Sequence, residues 1–585
     1  MMPVQSLNEI ETTDTLHADL LIVGGGACGL TLARAMSRPG RRIILLESGG
    51  ATEDAAHETL NAVEMPGWSD EEAATRDSYH KTLTRHWSGD HQQYGVRCRG
   101  LGGSTQAWAG KSAPLDPIDY EARNWVPLSG WPMDRAELAP FIERASDLLN
   151  LGPRVYDERL WELLRRDPPT PSPENEALRT MFWQFARSRR QMTDIMRFGA
   201  DFQADLPEGV QVVTQATVTS LDSTADGTRC TGLTARSLAG RHIKVEAPVC
   251  VLAAGAIENA RLLLLSRENM PNGLGNDHDT VGRYLMDHPT AVVARAAPDH
   301  LSRMAAQFGL FGLRGNGQSH AYMYGLALTD HMQRKKQWLN GALFVTAERA
   351  ADDPFSALRR LLRGQSKAWT SDVGSVLRSP VRLARGAGAR VLERGYLPDT
   401  LSRGIADLAV RFMPNTLAGD LRSGHLPVKL SGVRFEATTE QPPDPANRVT
   451  LSDARDPFGS PIPHVAWSGG EAARSNLLKL AHTLCASFDQ AGLPPLIPEP
   501  WVQEGKPATA PIFDLGHSLG TTRMSNDPKL GVVDRDCAVH TVAGLYAIGG
   551  SVFPTSGHAN PTLMMVALTL RLADHLEGRM TSARR

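Results

Sequence analysis

Residues 19–29, with the sequence DLLIVGGGACG, decide the fold of this chain because they join an apolar run to a glycine loop. The short apolar run at 19–24 predicts a buried strand of a parallel sheet. Residues 28–37 predict a helix, and residues 42–46 (RIILL) predict a second strand. Together the three segments predict a strand–helix–strand unit.

The glycine loop itself predicts a dinucleotide site. Gly24, Gly26 and Gly29 are spaced as GxGxxG, directly after the strand and at the start of the helix. Gly24 permits the tight turn, Gly26 lets the backbone approach a pyrophosphate, and Gly29 lets the helix pack closely on the strand. Glu47 ends the second strand, where a carboxylate can bind the ribose hydroxyls of an adenosine. This unit alone does not separate NAD from FAD.

The composition is that of a globular protein with more than one structural unit. The 585 residues are too many for one compact core. Hydrophobic residues make up 41% and charged residues 22%, which is an ordinary balance. The formal net charge of -2 creates no global field that would favour nucleic acid. We therefore expect a small-molecule substrate and no nucleic-acid partner; nothing in the sequence predicts the oligomeric state.

The cysteines predict neither a disulfide scaffold nor a metal site. They lie far apart, with no CxxC pair, at Cys28, Cys98, Cys230, Cys250, Cys485 and Cys537. The chain has no apolar run of about 18 residues, as a membrane-spanning helix requires. Residues 1–20 are acidic and lack the basic start and apolar stretch of a secretory signal. We expect reduced thiols in a cytoplasmic protein that holds no metal.

Strand and helix signals in three separate parts of the chain predict one discontinuous nucleotide-binding sheet. Apolar strand signals recur at 248–253 and 544–549, and helical runs follow at 256–266 and 561–576. The predicted fold class is α/β, or α+β overall, with a Rossmann-like domain and a second domain of antiparallel sheet and helices. The first domain is assembled from residues 15–120, 200–290 and 510–585. The second, on the substrate side, takes residues 121–199 and 291–509.

Residues 354–405 form a basic stretch within the second predicted domain. They contain ten Lys and Arg residues against three acids, with patchy helical spacing of apolar residues. Such a stretch can lie on an anionic membrane surface or cover an acidic substrate. A solvated helical insertion is the commoner case, and we interpret the stretch as one, with membrane-surface contact left open.

Four further stretches resemble the signatures of the glucose-methanol-choline (GMC) oxidoreductases, in the family's order. They are RGLGGST at 99–105, GAIENARLL at 255–263, VGRYLMDHP at 281–289 and LYAIGGSVFPT at 545–555. The resemblance covers nearly the whole chain and is strongest from 511 to 576. It implies an FAD-dependent enzyme that removes a hydride from an alcohol carbon. The electron acceptor, oxygen or another, is not fixed by these motifs.

The resemblance and the glycine loop together assign the residues that hold FAD. In each loop, glycine allows the close backbone approach that a pyrophosphate and a flavin ring need. The assigned residues are Gly24, Gly26, Ala27, Gly29, Glu47, Ser48, Arg99, Gly102, Gly103, Ser104, Gln106, Ala107, Trp108, Ala109, Val218, Ala254, Gly255, Gly550, Ser551, Asn560, Pro561 and Thr562.

The chemistry needs a base, because a neutral alcohol is a poor hydride donor until its hydroxyl proton is removed. Histidine suits this role, since its ordinary pKa lies near neutrality. Residues 516–524 (GHSLGTTRM) resemble the family's base segment and put the base at His517. Residues 556–562 (SGHANPT) put its partner at Asn560, which would orient the hydroxyl and help stabilise the developing alkoxide. The resemblance implies hydride transfer from the substrate to flavin N5.

Two other histidines compete less well for that role. His558 lies two residues before Asn560, and we expect it to line the pocket or contact substrate. Trp108 is the other residue that we expect to contact substrate. His288, in the segment MDHP, is expected to be structural.

The segment 102–110 (GGSTQAWAG) resembles the pyranose oxidases and bacterial sugar dehydrogenases within the family. In pyranose oxidases, a histidine just before the tryptophan is linked covalently to the flavin. Here that position holds Ala107, which has no nucleophile, so FAD is expected to bind non-covalently. The resemblance favours a sugar or glycoside hydroxyl as substrate, while other natural-product alcohols stay open.

Three other functions remain as alternatives. An NAD(P)-dependent dehydrogenase would use the same glycine loop but leaves the C-terminal motifs unexplained. A flavin-containing lyase would form product without reduction of its flavin. A noncatalytic or membrane-recruited binding protein would depend on residues 354–405 instead of a catalytic base.

Overall fold

The computed structural model describes residues 4–10, 15–80, 89, 91–189, 195–315, 317–350, 354, 357, 361, 368–378, 399–412 and 430–582. In chain order its strands are β1 Val4–Ser6, β2 Leu16–His17, β3 Leu20–Val23, β4 Ile43–Leu46, β5 Lys111–Ser112, β6 Leu178–Phe185, β7 Val210–Thr214, β8 Thr217–Ser223, β9 Cys230–Arg236, β10 His242–Glu246, β11 Cys250–Leu252, β12 Thr290–Ala296, β13 Leu310–Gly315, β14 Gln318–Leu328, β15 Gly341–Arg349, β16 Leu430–Thr439, β17 Arg448–Arg455, β18 Pro461–Ala466, β19 Leu496–Pro498 and β20 Leu545–Ala547.

The helices lie between groups of these strands along the chain. They are α1 Ala27–Met36, α2 Ala55–Glu58, α3 Asp70–His80, α4 Arg135–Leu148, α5 Leu160–Leu164, α6 Phe198–Gln203, α7 Ala256–Leu265, α8 Leu301–Gln307, α9 Asp330–Lys336, α10 Trp369–Leu377, α11 Asp399–Phe412, α12 Gly470–Gln490, α13 Pro500–Gln503 and α14 Thr562–Ser582.

A six-stranded parallel sheet lies at the centre of the nucleotide side. Its order is β1-β7-β4-β3-β11-β20, so the beginning, middle and end of the chain contribute neighbouring strands. Leu20–Val23 and Ile43–Leu46 are buried along their whole length, because helices such as α1 cover the sheet. The predicted α/β fold is confirmed, with strands within three residues of the predicted bounds.

An eight-stranded antiparallel sheet forms the other large layer. Its path is β19-β12-β16-β15-β14-β6-β5, with β13 paired to β14. The short strand Lys111–Ser112 lies at one edge, where it pairs with Phe185 and Gln184 of β6. This brings the chain just after residues 99–107 against the antiparallel sheet. A four-stranded sheet, β2-β10-β9-β8, and the hairpin β17–β18 complete the sheets of the described residues.

Most of the predicted basic insertion, 354–405, lies outside the described residues. Its described part includes α10 and the start of α11. These two helices expose several large apolar side chains: Trp369, Leu377, Leu401, Leu408 and Phe412. Within the described ranges, no helix is long and apolar enough to cross a bilayer. All six cysteines fall in those ranges and are free, and five of them are buried.

Candidate functional site

The first glycine loop connects β3 to α1, and two of its positions, Gly24 and Gly29, fit only glycine. Gly24 has a φ of +104°, and a Cβ there would lie 2.7 Å from the Ala253 carbonyl oxygen. A Cβ at Gly29 would lie 1.9 Å from the Gly24 carbonyl oxygen, so α1 packs directly on the turn. A Cβ at Gly26 would instead enter open space. Gly26 precedes α1 with no side-chain cap, and therefore Ala27 begins a helix whose first N–H groups can receive a phosphate.

The second glycine loop, residues 99–107, packs on the first. Gly102 donates its N–H to the Gly25 carbonyl at 2.8 Å, and a Cβ at Gly103 would lie 3.0 Å from Gly26 Cα. Arg197 holds this loop from outside, since its guanidinium donates to the Gln106 carbonyl at 2.7 Å. Arg197 carries no motif signal, and the sequence reasoning missed it.

Glu47 ties three loops together through its buried carboxylate. It accepts N–H groups from Gly25 at 2.7 Å, Gly49 at 2.8 Å and Gly100 at 3.0 Å. Burial raises the pKa of Glu47, and the three N–H donors oppose that shift. The carboxylate thus holds these three backbone segments together. Val218 follows nearby on β8, where Thr217 and Ser48 share a hydrogen bond of 2.7 Å.

Arg99 links this corner to α7. Its guanidinium donates to the Ser48 hydroxyl at 2.9 Å and to Glu258 at 3.0 Å. Arg97 also contacts Glu258, at 3.1 Å. Three arginines, of which Arg99 contributes most, hold the pKa of Glu258 at about 2 against the effect of burial. The sequence reasoning assigned Arg99 but did not find Glu258 as its ion-pair partner.

The start of α7 and the C-terminal loop meet at one side of the sheet. Gly255 has a φ of +85°, and a Cβ there would enter open space. Asn259 accepts the Ala254 N–H at 2.9 Å and donates to the Ser551 hydroxyl at 3.0 Å. Gly550 and Ser551 are buried in a short 3-10 turn, Gly550–Val552, that follows β20.

These loops fit FAD. The helices that begin after Gly26 and Gly255 lack side-chain caps. At both glycines the space that a Cβ would occupy is empty. Such positions suit the phosphates and ring edges of a dinucleotide. The other assigned residues lie in the same loops: Ser104 donates to Val96, Gln106 donates to Leu101, Ala109 is half-buried, and Pro561 and Thr562 lead into α14.

Ala107 and Trp108 lie where the second loop turns toward the antiparallel sheet. Ala107 is buried in a small apolar cluster with Val96 and Cys98. Trp108 is half-buried, and its indole N–H donates to the Met196 carbonyl at 2.9 Å. Its ring packs at a tilt against Phe198, with the ring centres 6.2 Å apart. These contacts with Met196 and Phe198 hold the Trp108 side chain in a fixed orientation.

His517 and Asn560 are brought together, as the resemblance implied. Nε2 of His517 and Nδ2 of Asn560 are 3.3 Å apart. On the other side of the ring, Nδ1 of His517 lies 2.8 Å from Nδ1 of His288. His288, which we expected to be structural, thus contacts the predicted base directly.

The backbone of this histidine pair is fixed by one carboxylate. Asp287 accepts N–H groups from His288 at 2.7 Å, Leu515 at 3.0 Å and His517 at 2.8 Å. Burial and the nearby Asp514 carboxylate raise the pKa of Asp287, and its three donors oppose the shift. Asp287 therefore positions both histidines through their backbone N–H groups.

The environment keeps His517 neutral. Burial lowers the pKa of His517 well below its usual range, and the nearby His288 and Lys111 lower it further. Lys111 is itself buried, with its ammonium 4.0 Å from the Trp183 ring centre and 3.8 Å from that of Phe344. Sequence reasoning missed Lys111, because a lysine on a two-residue strand has no motif.

His558 lies in a separate, more enclosed environment and is 2% exposed. Its Nε2 lies 3.1 Å from the Met181 sulfur, and its Nδ1 lies 3.7 Å from an Asp116 carboxylate oxygen. Asp116, Asp119 and His558 are close enough to share a metal ion. However, Arg179 and Asn340 already donate to Asp116, and Asn340 donates to Asp119. The Asp116 and Asp119 carboxylates thus already accept hydrogen bonds from the protein, one of them from the positively charged Arg179.

Two family models match the chain. The model described as GMC oxidoreductase matches residues 443–569, which contain His517, His558 and Asn560. The model described as FAD dependent oxidoreductase matches residues 19–273, which contain both glycine loops and α7. The resemblance drawn from the motifs is confirmed by both matches.

Relatives along the full length support the same placement. The large subunit of fructose dehydrogenase from Gluconobacter japonicus is 23% identical over 96% of this chain and 98% of its own length. A 2-methyl-1,2-propanediol dehydrogenase from Mycolicibacterium austroafricanum is 24% identical over 97% of each chain. The structure of a fungal aryl-alcohol oxidase, 15% identical, superposes with a TM-score of 0.55 over 96% of this chain and 99% of that one, which supports the fold.

Proposed function

We propose, on the premise that this chain is a GMC-type FAD-dependent oxidoreductase acting on CH–OH groups, that it oxidises a secondary hydroxyl of a sugar or glycoside. The product is the corresponding carbonyl compound, and His517 is the general base. The observation that carries this proposal is the pairing of His517 Nε2 with the Asn560 amide at 3.3 Å, on a half-buried ring.

The chain's own part in the reaction is to hold the alcohol and take its proton. Nε2 of the neutral His517 accepts the hydroxyl proton, because burial keeps the ring unprotonated at neutral pH. Asn560 donates a hydrogen bond to the substrate oxygen and stabilises the negative charge that develops there. FAD, when bound, supplies the acceptor for the hydride.

The cofactor is proposed to bind without a covalent link. Ala107 takes the position of the linking histidine of pyranose oxidases, and its methyl group packs in an apolar cluster. The FAD-binding part is proposed to comprise residues 15–120, 200–290 and 510–585, with the substrate-binding part between them. Acid precipitation should release all the yellow colour into solution, and flavin retained in the pellet would contradict non-covalent binding.

The sugar preference is supported by the fructose dehydrogenase relative. The propanediol dehydrogenase relative favours a second candidate, a non-sugar alcohol. An anaerobic screen of sugars, glycosides and other alcohols, followed by flavin absorbance, separates the two. Bleaching by sugars or glycosides supports the proposal, whereas bleaching by non-sugar alcohols alone supports the second candidate. Oxygen or a quinone added afterwards identifies the electron acceptor.

The assignment of the base is tested with His517→Ala. This variant should bind FAD with an unchanged spectrum and lose reduction by substrate. Full reduction in the variant would reject His517 as the base. Product formed by the wild-type protein without flavin bleaching would reject alcohol oxidation in favour of a lyase.

A further inference from the structure

His288 and His517 share one proton between their rings, and its position decides which nitrogen of His517 is free. The two Nδ1 atoms are 2.8 Å apart, a hydrogen-bond distance at which one nitrogen donates and the other accepts. The rings meet edge to face, with an interplanar angle of 78°. The pair is thus a hydrogen bond between two imidazoles.

The other side of His288 settles the direction of that hydrogen bond. Nε2 of His288 lies 3.2 Å from the Ser556 carbonyl oxygen, which can only accept. Nε2 of His288 therefore carries a proton. Burial lowers the pKa of His288 to about 4, so the ring is neutral at pH 7 and has only that one proton. Its Nδ1 is consequently a bare acceptor.

The proton between the rings then belongs to His517. Nδ1 of His517 donates to His288, and because His517 is also neutral, its Nε2 is bare. That bare nitrogen is the one beside the Asn560 amide. We propose that His288 is a positioning residue that fixes the tautomer of His517, so that Nε2 faces the substrate as the base. This inference rests on the proposed role of His517.

One loop controls both ends of this arrangement. Ser556 supplies the carbonyl that orients His288, and Asn560 supplies the amide on the opposite side of His517. Ser556 is itself fixed, since its hydroxyl accepts the Gln441 N–H at 2.9 Å. Gln441 in turn accepts the Asp287 N–H at 2.8 Å. Gln441 therefore holds both Ser556, through its backbone N–H, and the backbone next to His288, through its side-chain amide oxygen.

Three substitutions at His288 separate the acceptor from the rest of the side chain. His288→Asn keeps an oxygen near the place of Nδ1, so it can still accept from His517. His288→Gln keeps a donor near the place of Nε2 but removes that acceptor, and His288→Leu removes both groups. We expect flavin reduction by substrate to fall about 10- to 100-fold in the Gln and Leu variants, with less loss in Asn.

His320→Leu is the matched control. His320 is a second buried histidine whose Nε2 lies 3.2 Å from a carbonyl, that of Gly315, outside the partners of His517. Burial lowers its pKa to about 4 as well. Its replacement should change the urea midpoint by as much as His288→Leu does, with an unchanged rate of flavin reduction. Equal reduction rates in all three His288 variants would overturn the acceptor role.

A direct test needs no variant at position 288. Nitrogen-15 NMR of protein labelled in histidine, with His517 assigned by signals lost in His517→Ala, reports which ring nitrogen is protonated. We expect a proton on Nδ1 and none on Nε2 at pH 7.5, and the reverse would overturn the inference. Full flavin reduction in His517→Ala would instead reject the proposed base, so the two failures are distinguishable.

Discussion

His517 and His558 both lie in residues 443–569, which match the GMC oxidoreductase model, yet their surroundings differ. The ring of His517 is half-buried between a second imidazole and an amide. The ring of His558 is enclosed between a methionine sulfur and the Asp116 carboxylate. A base needs a bare nitrogen on the substrate side, and of these two histidines only His517 lies beside the amide that we propose stabilises the alkoxide. We therefore expect substitutions around His558 to change stability and those around His517 to change rate.

The largest stability effect is expected beside His558, at the ion pair of Arg123 and Glu440. Both side chains are fully buried, with two hydrogen bonds of 2.8 and 2.5 Å. Arg123→Met leaves the Glu440 charge buried without its partner, which costs about 3–5 kcal/mol. Urea unfolding of the FAD-saturated protein measures this loss.

The exposed pair of Arg144 and Asp574 is the control for that substitution. Its side chains are 45% and 52% exposed, although one contact is as short as 2.6 Å. Arg144→Met should therefore cost less than about 1 kcal/mol, because water screens the pair. An equal loss of unfolding free energy in the two variants would show that the buried ion pair near His558 does not stabilise the fold more than an exposed pair does.

The largest rate effect apart from the base itself is expected at Asn560. Asn560→Ala removes the donor that stabilises the developing alkoxide, and we expect flavin reduction to slow by about 100-fold. The urea midpoint should hardly change, because the Asn560 side chain is half-buried and lies beside Nε2 of His517. A large loss of stability with an unchanged rate would reverse the comparison with His558.

Asn269→Ala is the control for Asn560→Ala. The Asn269 amide donates to the Ser223 carbonyl at 3.2 Å, away from both histidines. We expect the same rate of flavin reduction as in the wild-type protein. A similar slowing in this variant would show that the loss in Asn560→Ala reflects a general perturbation.

The nucleotide side was predictable from the sequence because its signals are local. The strand of residues 19–24, its glycines and the following helix are contiguous, and each glycine has a steric reason that holds in any sheet of this type. The observed bounds of α1 and α7 differ from the prediction by one residue at most. His517 and Asn560 came from resemblance, since spacing alone does not show that residues 43 positions apart meet.

The partners of the base could not be read from the sequence. His288 reaches His517 across 229 residues, and the meeting depends on the start of β12 lying beside the 513–519 segment. Arg197 and Glu258 are likewise ordinary charged residues until the fold brings them to a loop. Their roles depend on tertiary packing, which a motif of consecutive residues does not reveal.

His558 is expected to make the stability of the protein depend on pH. Burial lowers its pKa to about 4, against an ordinary value of 6.5, although the Asp116 carboxylate opposes this shift. Between those two pH values the unfolded chain binds a proton that the folded chain does not. Stability is therefore full above about pH 6.5 and falls as the pH decreases toward 4, by about 1.4 kcal/mol per pH unit for this group.

His558→Gln should remove that contribution and leave catalysis nearly intact. We expect the slope of unfolding free energy against pH, between 4.5 and 6, to be smaller than in the wild type by about 1.4 kcal/mol per unit. His288, His320 and His517 still contribute to the slope in this variant, because burial lowers their pKa values as well. Flavin reduction should slow by less than about tenfold, well short of a general base's 10²–10⁴-fold contribution. A loss as large as that of His517→Ala would instead make the enclosed histidine part of the catalytic group.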